Sequence, residues 1–317
     1  TDAHKPKQPK VLYFPAGVYI INAETALPLF EGTCWIGDGS GRTIIYLMNS
    51  NARAVVETAD WSAGTVYRNV DIGVYTEKPV QNINISGITL ARSSVDDIMR
   101  LDRANTGLFL DVEFVVADLV NGKLEKNNDW DTSSSMSGIT NGGWPLSTRY
   151  KANEHGICVR IDRMSSLNPI VDNWYSGDFN FIDCQFKSNT YGFYMVDAID
   201  NVKISSSMFD GLFKGVSLGE AIYYTPSELN NIGDFAWSLP FDKDLGETYL
   251  NWNPNTLPWG PSAICVTHSM FKNIFDVPFS VFSNKPGNIS ANNMYMRYGG
   301  SLLTPPDNEA IYFLEKH

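Results

Sequence analysis

The chain has 317 residues, of which 43% are hydrophobic and 19% charged, so it can bury a core and is too apolar for an intrinsically disordered chain. Its net charge of −11 comes from 35 acidic and 24 basic residues. An acidic chain without a basic cluster is poorly suited to phosphate backbones, so we expect no nucleic-acid binding. No stretch approaches the ~18 apolar residues that cross a bilayer, and we expect no membrane insertion.

Histidine and cysteine are too few and too scattered to indicate a metal centre. Of the four His, two lie near the chain ends, and there is no H-E-x-x-H motif. The four Cys form no C-x-x-C pair, which argues against both a zinc site and a disulfide framework. We therefore expect free, buried thiols, no metal and no cofactor. The cysteines are Cys34, Cys158, Cys184 and Cys265.

The first predicted strands lie in VLYFPAGVYII (11–21) and CWIGDGSGRTIIYL (34–47). Pro15 fixes φ at a strand corner, and Gly17 permits a tight turn before the next strand. The GDGSG run (37–41) supplies turn backbone. It does not indicate a phosphate-binding loop, because the chain has no G-x-x-x-x-G-K-[ST] and no helical pattern follows.

From residue 83 onward one pattern of apolar or small residues recurs at offsets 0, +2, +5 and +7, and we call it the strand template. The +2 steps are the alternation of a β-strand. The change of parity between +2 and +5 predicts a bend or bulge between two short strands. The copies are Ile83, Ile85, Ile88, Leu90; Gly107, Phe109, Val112, Phe114; Phe179, Phe181, Cys184, Phe186; Val202, Ile204, Ser207, Phe209; Ile264, Val266, Ser269, Phe271; and Ile289, Ala291, Met294, Met296.

A second short strand accompanies the template, as in YGFYM (191–195) and KGVSL (214–218), with similar stretches at 155–161 and 277–281. Short strands that recur every ~23 residues fit the rungs of a right-handed, single-stranded parallel β-helix, whose coils stack ~4.8 Å apart. A β-sandwich, with strands every ~8–12 residues, does not explain this spacing. We therefore predict an all-β chain that forms one β-helix domain over 1–317.

Two long segments interrupt the period, residues 121–153 and residues 221–262. Both are polar and rich in Gly, Pro and Asn, and we predict that they are loop insertions. Insertions in a solenoid leave from one face of the coil and are usually functional. Each tryptophan in them either packs its loop onto the coils or contacts a ligand. These residues are Trp130, Trp144, Trp237, Trp252 and Trp259.

The N-terminal residues carry a resemblance to a known family. Phe14, Pro15, Gly17 and Tyr19, then Gly37, Gly39, Thr43 and Ile45, strongly resemble the opening coils of pectate-lyase-like β-helix proteins, where an F-P-x-G-x-Y strand leads to a G-x-G…T-x-I strand. The resemblance is specific over roughly the first 50 residues and rests on the coil pattern beyond them. Within the superfamily the chain resembles phage tailspikes and capsule depolymerases most, because its later coils lack pectinase-type motifs.

This resemblance implies a homotrimer in the tail of a virion that binds a bacterial surface polysaccharide, a capsule or an O-antigen. It also implies cleavage, by glycoside hydrolysis or, as the second choice, by β-elimination. The alternatives are a non-catalytic receptor-binding or structural spike and a secreted microbial hydrolase or lyase. The family's N-terminal cap and a C-terminal trimerising module are expected to be absent, which indicates a trimmed chain.

Glycoside hydrolysis needs two carboxyl groups, ~5–5.5 Å apart for retention and ~6.5–9.5 Å for inversion. Equivalent positions on neighbouring coils lie ~4.8 Å apart. Alignment of Gly192 with Gly215 places Asp197 and Glu220 at the same offset, one coil apart. Two stacked carboxylates repel, which raises the pKa of one and prepares it to act as an acid. We predict Glu220 and Asp197 as the catalytic pair and Asp162, after the preceding equivalent strand, as a third catalytic candidate.

The same argument predicts the substrate-binding residues, because aromatic rings next to the acids can stack on sugars. These are Trp237, Trp252, Trp259, Trp144 and Trp130. Other acids compete with the leading pair, including Asp111 and Asp183 at offset +4, where His268 follows, and each of them can equally be a surface carboxylate at a turn. A lyase would need a base and a charge neutraliser such as Arg160, and the chain has no Asp-rich calcium cluster.

Overall fold

The computed structural model describes residues 11–48, 51–52, 54–58, 80–94, 96–102, 104–126, 156–162, 176–195, 199–212, 214–218, 262–274, 278–281, 289–292, 295–297 and 311–313, and the structural statements below concern these residues. They form strands and no helix, and accordingly contain no helix that is long and apolar enough to span a membrane. The prediction of an all-β chain is confirmed.

The strands belong to two sheets of fifteen and eight strands. The larger sheet contains β1 (Val11–Phe14), β2 (Gly17–Ile21), β4 (Cys34–Gly37), β5 (Thr43–Leu47), β7 (Val80–Arg92), β9 (Ala104–Val120), β10 (Lys123–Lys126), β12 (Ser176–Ile182), β13 (Gln185–Lys187), β15 (Ile199–Ser205), β16 (Met208–Leu212), β18 (Ser262–Thr267), β19 (Met270–Ile274), β21 (Ile289–Asn292) and β22 (Tyr295–Arg297). The smaller sheet contains β3 (Leu27–Leu29), β6 (Val56–Thr58), β8 (Met99–Asp102), β11 (Ile157–Asp162), β14 (Tyr191–Met195), β17 (Lys214–Leu218), β20 (Phe279–Val281) and β23 (Ile311–Phe313).

Strand pairing is parallel in both sheets, with one exception. In the smaller sheet the strands lie side by side in their order along the chain, from β3 to β23, so each strand pairs with the next strand of that sheet. The exception is β10, which pairs with the end of β9 antiparallel, Lys123 opposite Val120. Residues 121–126, predicted as the start of the first insertion, are therefore a turn and a strand of this hairpin.

The register of the larger sheet matches the strand template residue by residue. Along offset 0, Ile83 pairs with Gly107, Gly107 with Phe179, Phe179 with Val202, and Val202 with Ile264. Offset +7 pairs in the same way. Because the template residues are buried and their alternate neighbours face away from the core, the predicted inward set is confirmed for the copies that begin at residues 83, 107, 179, 202 and 264.

The predicted change of parity is produced by single residues in the left-handed region. Offset +4 is occupied by Gly87, Asp111, Asp183, Ser206 and His268, whose φ values lie between 50° and 63°. One such residue turns the chain without breaking the sheet, so the next strand presents the opposite parity inward. A second column at offset −1 has the same conformation, with φ from 52° to 66° at Asn82, Thr106, Asp178, Asn201 and Ala263.

Phenylalanine rings fill the interior between the two sheets. The rings of Phe186, Phe209 and Phe271 stack face to face, with centroids 4.5 Å apart at each step. Phe109 and Phe181 stack in the same way at 4.5 Å. All five side chains are buried, so the parallel register places identical large rings directly above one another in the core.

Serine occupies offset +5 in the later strands, where the earlier copies have Ile88, Val112 and Cys184. Ser207 Oγ accepts a hydrogen bond from the backbone N–H of Cys184 at 3.1 Å and donates to the carbonyl oxygen of Ser205 at 2.8 Å. Ser269 Oγ accepts in turn from the backbone N–H of Ser207 at 3.3 Å. These buried hydroxyls satisfy backbone groups at the bend, where the ladder of the sheet is interrupted.

The four cysteines are free thiols, as predicted. Cys158 and Cys184 are buried, whereas Cys34 and Cys265 are half-buried, so the expected burial holds for two of them. Burial raises the pKa of the Cys184 thiol to about 12 and raises that of Cys158 further. Both buried thiols therefore stay protonated and act as small core side chains.

Candidate functional site

Of the three predicted acids, only Asp162 lies among the described residues. Asp162 is the last residue of β11, and its Cα partner is Asp102, the last residue of β8. Asp197 and Glu220 lie outside the described residues, and so do Trp130, Trp144, Trp237, Trp252 and Trp259. Their assignment as catalytic and substrate-binding residues stays a prediction.

The glycine alignment behind the leading acid pair agrees with the register. Tyr191 of β14 pairs with Lys214 of β17, and Met195 pairs with Leu218, so Gly192 and Gly215 fall at the same level. Glycine is needed on both strands because a Cβ at Gly192 would lie 2.7 Å from the ring of Phe209, and one at Gly215 would lie 2.6 Å from the ring of Phe271. The two glycines therefore mark the same structural position.

Asp162 falls one position away from this alignment. Ile161 of β11 pairs with Met195 of β14, which places Asp162 level with residue 196 rather than with Asp197. Asp162 also ends its strand, whereas the sequence predicted that it would follow the strand. The side chain of Asp162 lies outside what the structure describes, and its proposed third role is a separate prediction from the pair.

The outward side of the smaller sheet carries a column of polar and charged residues. Glu57, Arg100, Arg160, Tyr194 and Ser217 are successive Cα partners on β6, β8, β11, β14 and β17. All five are buried, with exposures of 8% or less. Charged residues are almost never buried without partners, so this side of the sheet is a second, polar interior.

Asp97 links two of the buried arginines. Its Oδ2 lies 3.5 Å from Nη1 of Arg100 and 3.8 Å from Nη1 of Arg160. Asp97 is itself 4% exposed. A carboxylate shared by two guanidinium groups compensates their buried charges and links β8 to β11.

Arg92 connects this cluster to the larger sheet. Its guanidinium donates to the carbonyl oxygens of Ala52 at 2.7 Å and Asp97 at 3.1 Å, and Nε donates to Ser94 Oγ at 2.9 Å. Nη2 also lies 3.2 Å from Oδ2 of Asp96. Burial lowers the pKa of Arg92, while Asp96 and Asp97 favour its charged form. The arginine therefore ties the corner at Ala52 to the corner at residues 94–97.

Asp96 is an acid of this cluster with a strongly shifted pKa. Desolvation raises the pKa of Asp96 to about 7, against the opposing effect of the Arg92 charge. The side chain keeps 39% of its surface exposed, so solvent moderates the effect. Asn189, which is fully buried, donates to the backbone carbonyl of Asp96 at 3.0 Å and fixes the corner from the other side.

Two tyrosines and two cations complete the polar interior. Tyr191 and Tyr194 meet edge to face, with centroids 5.4 Å apart. The guanidinium of Arg160 lies 5.8 Å from the ring centre of Tyr194, and the ammonium of Lys214 lies 6.0 Å from that of Tyr191. At these distances the rings stabilise both positive charges away from bulk water.

The cluster as a whole combines charges of both signs. Three carboxylates, Glu57, Asp96 and Asp97, lie among three arginines and Lys214. Such a network holds strands together, and none of its carboxylates is an uncommitted acid beside an open position, which hydrolysis requires. Of the residues in this cluster, the sequence alone suggests a role only for Arg160. A polar residue within an apolar strand, such as Arg100 between Met99 and Leu101, is the pattern that marks this column.

Outward acids on the larger sheet are likewise engaged. Glu113 accepts from Lys187 Nζ at 2.8 Å and from the Thr89 hydroxyl at 2.8 Å. Asp210 pairs with Lys272 at 3.2 Å and accepts from Asn273 at 2.7 Å. These contacts join neighbouring strands and favour the structural interpretation of both acids.

Asp111 is held by the loop that follows β4. Its carboxylate accepts from the backbone N–H of Ser40 at 3.0 Å and from the Ser40 hydroxyl at 2.5 Å. The GDGSG run therefore binds a carboxylate of its own chain, consistent with its prediction as turn backbone. Among the described residues no group of three or more His, Cys, Asp or Glu side chains is arranged to hold a metal ion.

Comparison with known proteins finds similarity among solved structures. No protein-family model matches the sequence, and no curated protein matches it significantly. A crystal structure of the N-terminal fragment of bacteriophage phi29 gene product 12 matches with a TM-score of 0.45 at 11% identity, over 96% of this chain and 42% of that one. ORF18 of Geobacillus virus E2 matches with a TM-score of 0.41 at 10% identity, over 91% of this chain and 52% of that one.

Both neighbours are phage proteins, and this chain spans about half of their length or less. Both TM-scores lie below 0.5, so the likeness carries no argument about activity. What the chain does must be argued from its own residues.

Proposed function

We propose that this chain is a right-handed parallel β-helix that binds a bacterial surface polysaccharide and cleaves it by glycoside hydrolysis, with Asp197 and Glu220 as the paired carboxyl groups. The observation that carries the proposal is the register between β14 and β17, in which Met195 pairs with Leu218. Asp197 follows Met195, and Glu220 follows Leu218, by two positions each. Each acid therefore follows, by two residues, one member of a register pair on neighbouring strands.

The pairing pattern supports the β-helix. Phe186 pairs with Phe209 in the larger sheet, and Tyr191 pairs with Lys214 in the smaller one, so both sheets have the same offset along the chain at this level. A chain that meets its own next turn at one fixed offset in two sheets has the pairing expected of a stack of coils. Parallel crossovers are almost always right-handed, which favours that hand.

The longer offsets support insertions between coils. Phe209 pairs with Phe271, and residues 221–262 lie between them. Phe114 pairs with Phe186, and residues 127–153 lie between them. The extra length in each case contains the tryptophans that we propose to stack on sugar rings, as aromatic faces do in carbohydrate sites.

In this proposal one carboxyl group protonates the glycosidic oxygen, and the other acts as a nucleophile or activates water. Mutual repulsion between the two carboxylates keeps one of them protonated, which is the form a general acid needs. Asp162 is the third candidate. Its Cα partner Asp102 places a second acid at that strand end. A homotrimer in a virion tail is part of the same proposal and rests on the family resemblance.

A non-catalytic receptor-binding spike is the second candidate function. It is favoured by the ion pairs of Glu113 with Lys187 and of Asp210 with Lys272, because these outward acids serve the stack rather than a reaction. It shares the polysaccharide partner and differs only in that no bond is broken.

Release of soluble fragments separates these functions. Purified protein is incubated with capsule and O-antigen preparations, and products are followed by reducing ends, by size and by the ultraviolet absorbance of unsaturated sugars that a lyase would produce. We expect new reducing ends without that absorbance. Binding without fragments would support the spike, and fragments with the absorbance would support β-elimination.

Substitution then tests the acid pair. We expect Asp197→Asn and Glu220→Gln each to lower turnover at least about 100-fold, because each removes an acid–base or nucleophilic role. Asp183→Asn is the matched control: it removes an exposed acid at a bend, and Asn tolerates the same backbone with φ of 53°. Unchanged turnover in both pair variants would remove Asp197 and Glu220 from the proposal.

A further inference from the structure

One side of the larger sheet is almost without charge, although the chain as a whole is strongly acidic. We call it the neutral face. It consists of the outward offsets +1 and +3 of the strand template on β7, β9, β12, β15 and β18, together with the residues that the register aligns with them on β1 and β4. These seven strands supply fourteen outward positions, and only Lys203 among them is charged. With 19% charged residues in the chain, about three would be expected.

The centre of the neutral face is apolar and exposed. Leu108 and Leu110 are each 38% exposed on β9, Ile36 is 39% exposed on β4, and Tyr13 is 59% exposed on β1. Tyr13 pairs with Ile36, and Leu110 pairs with the half-buried Ile182, so the apolar side chains form two pairs on neighbouring strands, separated by Asn84 and Ser86 of β7. Exposed apolar side chains grouped on one side of a sheet mark an interaction surface.

Acids border this face instead of occupying it. Asp111 and Asp183 lie in the bend at offset +4, and Asp178 lies at offset −1 on the other border. An uncharged centre with a charged rim is the usual anatomy of a protein–protein interface.

The charge distribution indicates which partner fits. Two copies of a chain with net charge −11 repel each other over most orientations, and only a side without acids avoids placing like charges together. A sugar chain fits this face poorly, since Tyr13 is its one aromatic residue and it has no acid. Nucleic acid fits poorly as well, because it would find one lysine.

The structure assigns the neutral face as the surface through which copies of this chain associate with one another. The inference gives residues to the self-association included in the proposed function, and it does not depend on cleavage. The face extends over about 29 Å across seven strands and about 16 Å along them. This area is smaller than the ~800 Å² that each partner buries in a standard interface, so the face can form only its central part. We therefore expect association that depends on concentration.

Sedimentation velocity of the full chain over a wide concentration range tests this inference. We expect wild-type protein to sediment as a multiple of the monomer mass at high concentration. Leu108→Glu and Leu110→Glu each place a like charge on every copy at the centre of the face, and should raise the dissociation constant at least about tenfold. Met270→Glu is the matched control, because Met270 is also 38% exposed but lies at offset +6, outside the face.

A monomer at every concentration would overturn the inference, and so would an assembly that Leu108→Glu and Leu110→Glu leave intact. Leu110→Cys provides a test that does not require disrupting the association between copies. Oxidation should cross-link copies through this position in addition to any cross-linking through Cys34 and Cys265, which lie on the same face, and absence of added cross-linking would count against the face. Fragment release by a monomeric variant would show that the catalytic proposal stands independently, and loss of fragment release in a normal assembly would leave the neutral face intact.

Discussion

The rings of Phe209 and Phe271 lie parallel, 4.5 Å apart and inclined by 4°, although the two residues are distant in the chain. Their Cα atoms are register partners on β16 and β19. The distance between the rings equals about one strand spacing, so the sheet itself sets the stacking distance.

Phe209→Ala should lower the free energy of unfolding by about 3–5 kcal/mol, because it opens a cavity between two stacked rings in a fully buried column. Urea unfolding followed by tryptophan fluorescence measures the loss. Phe30→Ala is the control, since Phe30 is 59% exposed and should change stability by less than about 1 kcal/mol. Equal effects of the two substitutions would contradict the stacked core.

Ser207→Ala should cost about 1–3 kcal/mol. The hydroxyl of Ser207 accepts the hydrogen bond of the Cys184 N–H, and without it that buried donor has lost its partner. Ser205→Ala, on the outward side two residues earlier, should stay within about 0.5 kcal/mol of wild type. The midpoint of urea unfolding compares them. A neutral Ser207→Ala would mean that another group satisfies the Cys184 N–H.

Ser206 tests the bend at offset +4, where its φ is 52°. Ser206→Val should destabilise the fold by about 1–2 kcal/mol, because a β-branched side chain is strained in the left-handed region. Ser206→Gly should be neutral or stabilising. Ser205→Val, in the adjacent strand, should be tolerated, since β-branched residues suit strands. Thermal unfolding of the three variants ranks them, and the reverse order would refute the bend.

Asp96 should make stability depend on pH. Its folded-state pKa is raised from 3.8 to about 7, so the folded state retains this proton more strongly than the unfolded state does. The contribution of Asp96 is therefore complete below about pH 4 and is lost as pH rises towards 7. Asp96→Asn removes the titration. Urea midpoints at both ends of this window should differ less in the variant than in wild-type protein.

The control for this pH dependence is Asp183→Asn, which makes the same change of charge at an exposed bend. It should leave the difference between the two pH values close to that of wild type. An Asp96→Asn variant with the wild-type difference would show that other groups carry the dependence.

The sequence was sufficient to predict the inward residues of the larger sheet. Offsets such as Phe186 to Phe209 depend on strand alternation and on a constant period, both of which are visible in one chain. The left-handed bends were also accessible in principle, since Gly, Asp and Ser occupy four of the five positions at offset +4. The change of parity predicted a bend between offsets +2 and +5, but it did not identify the single residue that makes it.

The polar interior beside the smaller sheet was not predicted. Arg100 and Arg160 alternate with apolar residues, which is also the pattern of a strand with one side in water, and burial of both sides leaves no separate trace in the sequence. The prediction that Asp162 follows its strand was wrong for a related reason. The step from β11 to β14 along the chain is longer than the step from β14 to β17, so the constant period that located Gly192 and Gly215 did not apply.

The hydrogen bonds of Ser207 and Ser269 have a consequence for how the length of this protein can change. The backbone N–H groups of Cys184 and Ser207 donate to Ser207 and Ser269, and Phe186 stacks on Phe209, so the segment 184–206 carries one set of these donors, acceptors and core rings. When that unit is removed or duplicated, the residues brought together at the junction are of the same kinds as those that are in contact now. If the proposed β-helix is correct, stability should change in steps of one such unit, and the length of the stack can change without redesign of the interior.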